Sequence, residues 1–275
     1  MRIQKPIVTL GLLLCGVTTT AIAETGFTII DVPGAYSTVA SGINGQGDIV
    51  GTFFNSTGAH GFLLRAGSFT TIDVPGAAYT AAMGINARGD IVGGTNSSVG
   101  FLLSNGVFST VDPGARFASA SSINARGDIV GSFFVGGVKQ FGFLWTGGIS
   151  TIISHSVSTF ATGINDQGDI VGNFDDLVQV HGYLLSAGQY TAIDAPGASM
   201  TLAQGINDKK EIVGSFIQTA THGFLLSNGA FTTLDVPGAT HTEANGINLQ
   251  GDIVGAAVIQ GVTHGFVLSA QARSR

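Results

Sequence analysis

The decapeptide GINARGDIVG, Gly84 to Gly93, returns almost letter for letter as GINGQGDIVG from Gly42, GINDQGDIVG from Gly163 and GINLQGDIVG from Gly246. Whether it is a site or a building unit decides how the chain is read. Taking its Asn as a marker gives Asn44, Asn86, Asn124, Asn165, Asn207 and Asn248, at spacings of 42, 38, 41, 42 and 41. A period near 41 residues marks a repeat architecture, for which the usual unit is a four-stranded propeller blade. In the fifth unit, Thr201 to Asn207, Glu211 to Phe216, Thr221 to Ser227 and Ala230 to Asp235 read as four successive strands, the first two joined by a tight turn at DKK. No window keeps a helical period over three turns.

The third and fourth strands can be registered from the turn between them. Asn228-Gly229 fits a two-residue type I′ hairpin, which sets His222 opposite Asp235. The same geometry around Ala66-Gly67 pairs His60 with Asp73, and around Ala187-Gly188 it pairs His181 with Asp194. In unit three Phe141 and Ser154 occupy the two positions, and in unit two Val99 faces Asp112. The last unit stops after its third strand, at His264, while the chain near its start carries an orphan fourth strand ending at Asp31. His264 and Asp31 thus become the pair that joins the two ends. The expected fold is all-β, a six-bladed propeller of four-stranded blades closed by an N-terminal outer strand, since an open solenoid would need polar capping repeats. The Asn-bearing strand is then the innermost and the strand before DVPGA the outermost.

Residues 1–23 read as a secretory signal peptide, with Arg2 and Lys5 ahead of an apolar run from Ile7 to Val17 and the small-x-small sequence Ala21-Ile22-Ala23. That run is too short to span a bilayer, which takes about 20 residues. Residues 24–275 form a single six-repeat domain. Removing the leader takes away Cys15, the one cysteine, so disulfides, thiol catalysis and thiolate zinc sites are excluded. Nine basic residues then stand against 17 acidic ones, a formal charge of −8. With no basic run, the chain is a poor candidate for binding nucleic acid or anionic membrane. Its 42 glycines and 10% charged residues, with Ile, Val, Phe and Thr in the strands, are the composition of a turn-rich secreted β-protein.

Calcium is the first ligand to weigh for the repeated decapeptide. Each copy offers one carboxylate (Asp48, Asp90, Asp128, Asp169, Glu211 or Asp252) and one amide, whereas calcium takes six to eight oxygens. A turn in which Asn caps its own backbone and Gly takes the positive-φ position explains every residue, and Lys209-Lys210 in unit five would not suit a metal loop. No metal or cofactor is expected. The Asp of DVPGA precedes a Pro-Gly pair suited to a type II turn. Repeated His-Asp pairs without a serine or cysteine nucleophile read as cross-strand pins. What varies is the loop between the second and third strands, spanning 10, 7, 11, 10, 9 and 10 positions from the Gly of GDIVG to that of HGF. These loops share a face with the DVPGA crossovers, and they carry the non-repeated Lys139, Asp175 and Asp176, which are the candidate ligand-binding residues. Asn55 and Asn96 begin sequences that match glycosylation acceptors, relevant only in a eukaryotic secretory pathway.

The unit HGFLLSNGAFTTLDVPGAT, followed by GIN and GDIVG, resembles the repeat of the HAF family of bacterial extracellular proteins, named for a His-Ala-Phe motif. The likeness runs from Gly26 to Leu268, with Gly in place of that Ala and with the histidine replaced at Val99 and Phe141. It implies an exported repeat protein, extracellular or periplasmic, and no particular activity. The expected role is a binding or scaffold module for an extracellular protein or glycan. The rivals are a propeller enzyme acting on extracellular polysaccharide through Asp175 or Asp176, and a structural cell-surface protein.

Overall fold

The computed structural model describes residues 26–96, 99–115, 117–136 and 139–273; the expected signal peptide lies outside them. Among the described residues there are 24 strands and one helix of a single turn, Ala270–Arg273. The strands fall into consecutive sets of four. In the first set Ser37–Ile43 pairs with Ile49–Asn55, which pairs with Gly58–Arg65, which pairs with Ser68–Ile72, all antiparallel. The fifth set, Met200–Ile206, Ile212–Ile217, Thr221–Ser227 and Ala230–Leu234, repeats the order within a residue or two of the sequence expectation. The sixth has three strands of its own, Ala239–Ile247, Ile253–Ile259 and Val262–Leu268, and its fourth neighbour is the first strand of the chain. Phe27–Ile30 runs antiparallel to Val262–Leu268, Phe27 facing Leu268 and Ile30 facing Gly265.

Units four to six join into one 12-stranded sheet, and the joints are narrow. Single parallel bridges, Val180 to Met200 and Thr221 to His241, tie a third strand to the next unit's first strand. Ala59 and Tyr79 make the same bridge between units one and two. The large sheet is therefore three four-stranded sets touching at their corners.

The hairpins follow from their turn residues. At Asn228-Gly229 both φ values are positive (51° and 78°), as they are at Ala187-Gly188 (49° and 77°), which is the type I′ geometry that matches strand twist. At the crossovers Ala35 N donates to Val32 O (3.0 Å) with Gly34 at φ +81°, closing a type II turn around Pro33-Gly34.

The core lies between the faces of neighbouring units. Val50 of unit one packs with Ile72, Ile85 and Phe101, and Val254 of unit six packs with Ile30, Ala40, Phe53 and Phe62 of the opposite end of the chain. The aromatic of each HGF-type triplet is the centrepiece: Phe62, Phe143, Phe224, Phe266 and, in unit four, Tyr183 are fully buried, each contributing about 1.5–3 kcal/mol. This burial dictates the last Gly of GDIVG. A Cβ on Gly172 would sit 1.9 Å from Phe160 O and within 2.8 Å of the Tyr183 ring. The space so left lets the buried Tyr183 hydroxyl donate to Phe160 O (2.9 Å), satisfying the one polar atom that distinguishes it from its Phe counterparts.

Candidate binding surface

The repeated Asn is buried and uses its whole amide. Asn44 Oδ1 accepts from Gln46 N (3.0 Å) and Asp48 N (2.9 Å), while Asn44 Nδ2 donates to Asp48 Oδ2 (3.2 Å) and to Asn86 O of the next unit (3.3 Å). The inter-unit bond recurs from Asn86, Asn124, Asn165 and Asn207, each to the following Asn carbonyl, and Asn248 Nδ2 donates back to Asn44 O (3.2 Å). The carboxylates are equally committed. Arg65 donates to Asp48 Oδ2 (2.8 Å), and this bond above all, against the pull of burial, holds the Asp48 carboxyl below the ordinary range. Burial pushes Asp90, Asp128 and Asp169 upward, but hydroxyls of Ser104, Thr146 and Ser186, the Asn amides and a nearby cation outweigh it, so these three also titrate low. The decapeptide therefore leaves no oxygen set open to a ligand. Among the described residues no group of three or more His, Cys, Asp or Glu could hold a metal ion.

The His-Asp positions meet at bonding distance. His60 Nδ1 lies 2.8 Å from Asp73 Oδ1, His181 Nδ1 2.7 Å from Asp194 Oδ1, His222 Nδ1 3.0 Å from Asp235, and His264 Nδ1 3.0 Å from Asp31, 233 positions away in the chain. His60, His181 and His222 also stack on Phe53, Phe174 and Phe216 of the adjacent strand. These three imidazoles are thus held on one face by a ring and at Nδ1 by a carboxylate.

Crossovers and variable loops come together on one face. Tyr36 N donates to Phe54 O (2.7 Å), Ala78 N to Asn96 Oδ1 (3.0 Å) and Ser199 N to Ile217 O (2.8 Å). The three candidate residues on this face make these contacts. Lys139 lies over its own strand neighbour Phe141, 5.9 Å from the ring centre. Asp175 Oδ1 accepts from Leu177 N, and Asp176 Oδ1 accepts from Val178 N and Gln179 N, all at 2.8 Å. Asp176 Oδ2 also faces His181 Nε2 at 3.3 Å, linking it to the His181–Asp194 pair. The backbone bonds from Gln179 and Val178, more than the imidazole, hold the Asp176 carboxyl below its usual range. Burial lowers the pKa of His181, but the flanking Asp194 and Asp176 carboxylates outweigh it and leave it raised.

Two features escape a reading by repeats. The first strand of unit six carries His241 and Glu243, with His241 Nε2 2.8 Å from Glu243 Oε1 and both side chains about a third exposed. The signal was available, since the corresponding positions of the other units hold no charged residue. The second feature is a cleft of about 310 Å³ on the crossover side, lined by Tyr79, Met83, Gly94, Asn96, Phe117 and Ser119 among others. On the opposite side the six Asn turns surround a cavity of about 190 Å³. Asp166 and Asp208 line it, and each accepts a backbone N–H from the preceding unit's turn, Ala125 N (2.6 Å) and Asp166 N (2.9 Å).

No family model matches the chain, and no curated protein matches it. Solved structures do. A gluconolactonase from Xanthomonas campestris superposes with a TM-score of 0.56 at 12% identity, covering 92% of this chain and 94% of the other. The β-propeller domain of the trilobed protease from Pyrococcus furiosus gives a TM-score of 0.56 at 13% identity over 89% and 84%. The Aleuria aurantia lectin, solved in complex with a fucose-containing disaccharide, gives 0.50 at 10% identity over 86% and 92%. At such identities the likeness speaks for architecture alone, and the architecture is that of the β-propellers.

Proposed function

We propose that the chain is a six-bladed propeller closed by its N-terminal strand, exported from the cell as a repeat protein of the HAF type, and acting as a binding module for an extracellular glycan or protein through its crossover face. The six-blade reading is supported by the sets of four strands, and closure by the pairing of Phe27–Ile30 with Val262–Leu268 and by the bond from Asn248 to Asn44. Export is supported by the leader sequence.

The observation that carries the binding role is where the exposed apolar side chains fall. Tyr36, Phe54, Phe117, Phe134, Leu177 and Val178, from units one, three and four, sit in or at the strand ends beside the crossovers and variable loops of one face, whereas the exposed Val107, Ile149 and Ile152 lie on outer hairpins and Leu249 on the opposite side. Leu177 and Val178 are 78% and 90% exposed. Apolar groups gathered on one side and rimmed by polar loops mark an interaction surface rather than a monomer's ordinary exterior. The lectin among the structural neighbours carries a sugar ligand on the same architecture.

A second reading, an enzyme acting on extracellular polysaccharide, draws on one observation, the Glu243–His241 pair on an inner strand. Asp175 and Asp176 contribute less to it, since both cap their own loop. The test is a glycan and polysaccharide binding screen of the purified mature protein with product analysis by mass and sedimentation of the same sample. Binding without turnover, lost on substituting crossover-face side chains and kept in Leu249→Ser on the opposite side, is the expected result. Turnover abolished by Glu243→Gln would replace the binding role by the enzymatic one, and concentration-dependent self-assembly with neither would replace it by a structural one.

A further inference from the structure

We propose that the cleft between units two and three is a binding site for a neutral sugar ring; this deepens the binding role given above and rests on it. The cleft lies where units two and three depart together from the other four at two positions and unit two alone departs at a third. Seven positions before the repeated Asn stand Ser37, Tyr79, Phe117, Ser158, Met200 and His241 in the six units, so units two and three carry adjacent Tyr and Phe rings there. Two residues further in, the series runs Val39, Ala81, Ser119, Phe160, Leu202 and Glu243, with the small members again in units two and three. On the second strand, Thr52, Ser132, Asn173, Ser215 and Ala256 have Gly94 as their counterpart in unit two. Two rings at the rim over the small Gly94, Ala118 and Ser119 border a hollow of about 310 Å³, at the lower end of the size of small-molecule sites.

The chemistry of the lining selects the ligand. Among the described residues its lining is uncharged, made of aromatic rings, a thioether, hydroxyls and an amide. Phe117 is 60% exposed and held at φ +57°, a backbone conformation that non-glycine residues seldom adopt, and its ring stands at the opening of the cleft. Tyr79 is half-buried, and burial raises its pKa, so its hydroxyl stays a hydrogen-bond donor. Ala78 N anchors the Asn96 amide at the rim through Oδ1 (3.0 Å). Ser119 Oγ faces the thioether of Met83 at 3.4 Å, a weak acceptor that a hydroxyl of a ligand would readily displace. Aromatic faces beside uncharged donors and acceptors match a molecule with a C–H face and a hydroxyl edge, which is a pyranose.

The experiment is a saturation-transfer NMR screen of the mature protein against glucose, galactose, mannose, fucose, xylose and N-acetylglucosamine and their neutral oligomers, followed by titration of those that respond. At least one binds, and Phe117→Ala and Tyr79→Ala each weaken it by about tenfold, the loss expected for one stacked ring, while Phe54→Ala and Leu177→Ser change it by less than about twofold. Ser119→Val, which fills the hollow without touching either aromatic, weakens it as well and guards against misfolding of the alanine variants. Binding that survives Phe117→Ala and Ser119→Val but falls in Phe54→Ala or Leu177→Ser overturns the cleft and leaves the face. No response from any neutral saccharide overturns the sugar assignment, and a response confined to charged oligosaccharides does the same.

Discussion

Asn124 carries four hydrogen bonds on one buried amide. Its Oδ1 accepts from Arg126 N and Asp128 N (both 3.0 Å), and its Nδ2 donates to Asp128 Oδ2 (3.0 Å) and Asn165 O (3.2 Å). Only an amide supplies two N–H donors beside an oxygen that accepts twice, and neither Asp nor Ser stands at any of the six positions. Asn124→Ala would leave buried donors and an acceptor unpaired and is expected to cost about 3 kcal/mol, read from the urea midpoint. The turn cap was legible from the sequence because its partners lie two and four residues away; the bond to Asn165, 41 residues on, was not. Titration gives a second expectation at this scale, with opposite signs for two residues. The folded pKa of Asp48 is lowered from 3.8, so the stability it adds is present above that value and lost as pH falls through the folded pKa. The gap in melting temperature between the natural protein and Arg65→Met should therefore be open at pH 7 and narrow progressively as pH falls below about 3.8. His181 is raised from 6.5, so its contribution is present below 6.5 and lost as pH rises through the folded pKa, and His181→Ala should be more damaging at about pH 5.5 than at about pH 8.5.

At the scale of the strand pair, a two-residue turn fixes everything beyond it. Asn228-Gly229 closes Ser227 on Ala230, and alternation then carries the register through Leu225–Thr232 to Gly223–Leu234, leaving His222 and Asp235 as the next facing pair. Because they share one contact, at 3.0 Å, the stability losses of His222→Ala and Asp235→Ala should not add, the double variant falling short of the sum by about 0.5 kcal/mol. Additive losses, measured by chemical denaturation of all three variants, would mean that the pair does no work as a pin. Hairpins of this kind are decided locally and could be registered by arithmetic. The cleft of Tyr79 and Phe117 could not, because it depends on which strand of the next unit lies alongside, whereas the pair His241–Glu243 joins residues two apart on one strand. The sequence did carry a trace of both, as departures from the repeat at single positions.

For the whole molecule, the decisive contact joins residues from opposite ends of the chain. Phe27 packs edge-on against Phe266 at 5.3 Å between ring centres, Ile30 and Val32 enter the core of unit one, and His264 reaches Asp31. Deleting residues 24–32 should remove a strand and open two neighbouring cores, lowering the melting temperature by more than 10 °C on the order of magnitude expected when several buried apolar side chains are lost together. Trimming residues 271–275 removes part of one helical turn, including the donation from Arg273 to Gly251 O, and should cost a small fraction of that. Similar melting temperatures for the two truncations would refute the latch.

By itself the sequence determined the repeat, the four strands of each unit, their hairpin register and the structural use of the decapeptide. All of these rest on interactions between residues close in the chain, where turn chemistry and alternation leave little choice. Only the tertiary structure decided which non-repeated residues meet. Lys139, Asp175 and Asp176 looked like a group because they share a face, yet each is held within its own loop or strand. Tyr79 and Phe117 lie 38 residues apart, one full unit, and become neighbours because small side chains between adjacent inner strands leave a hollow that larger ones fill elsewhere. Volume between strands of different units is a property of packing, and no local pattern records it.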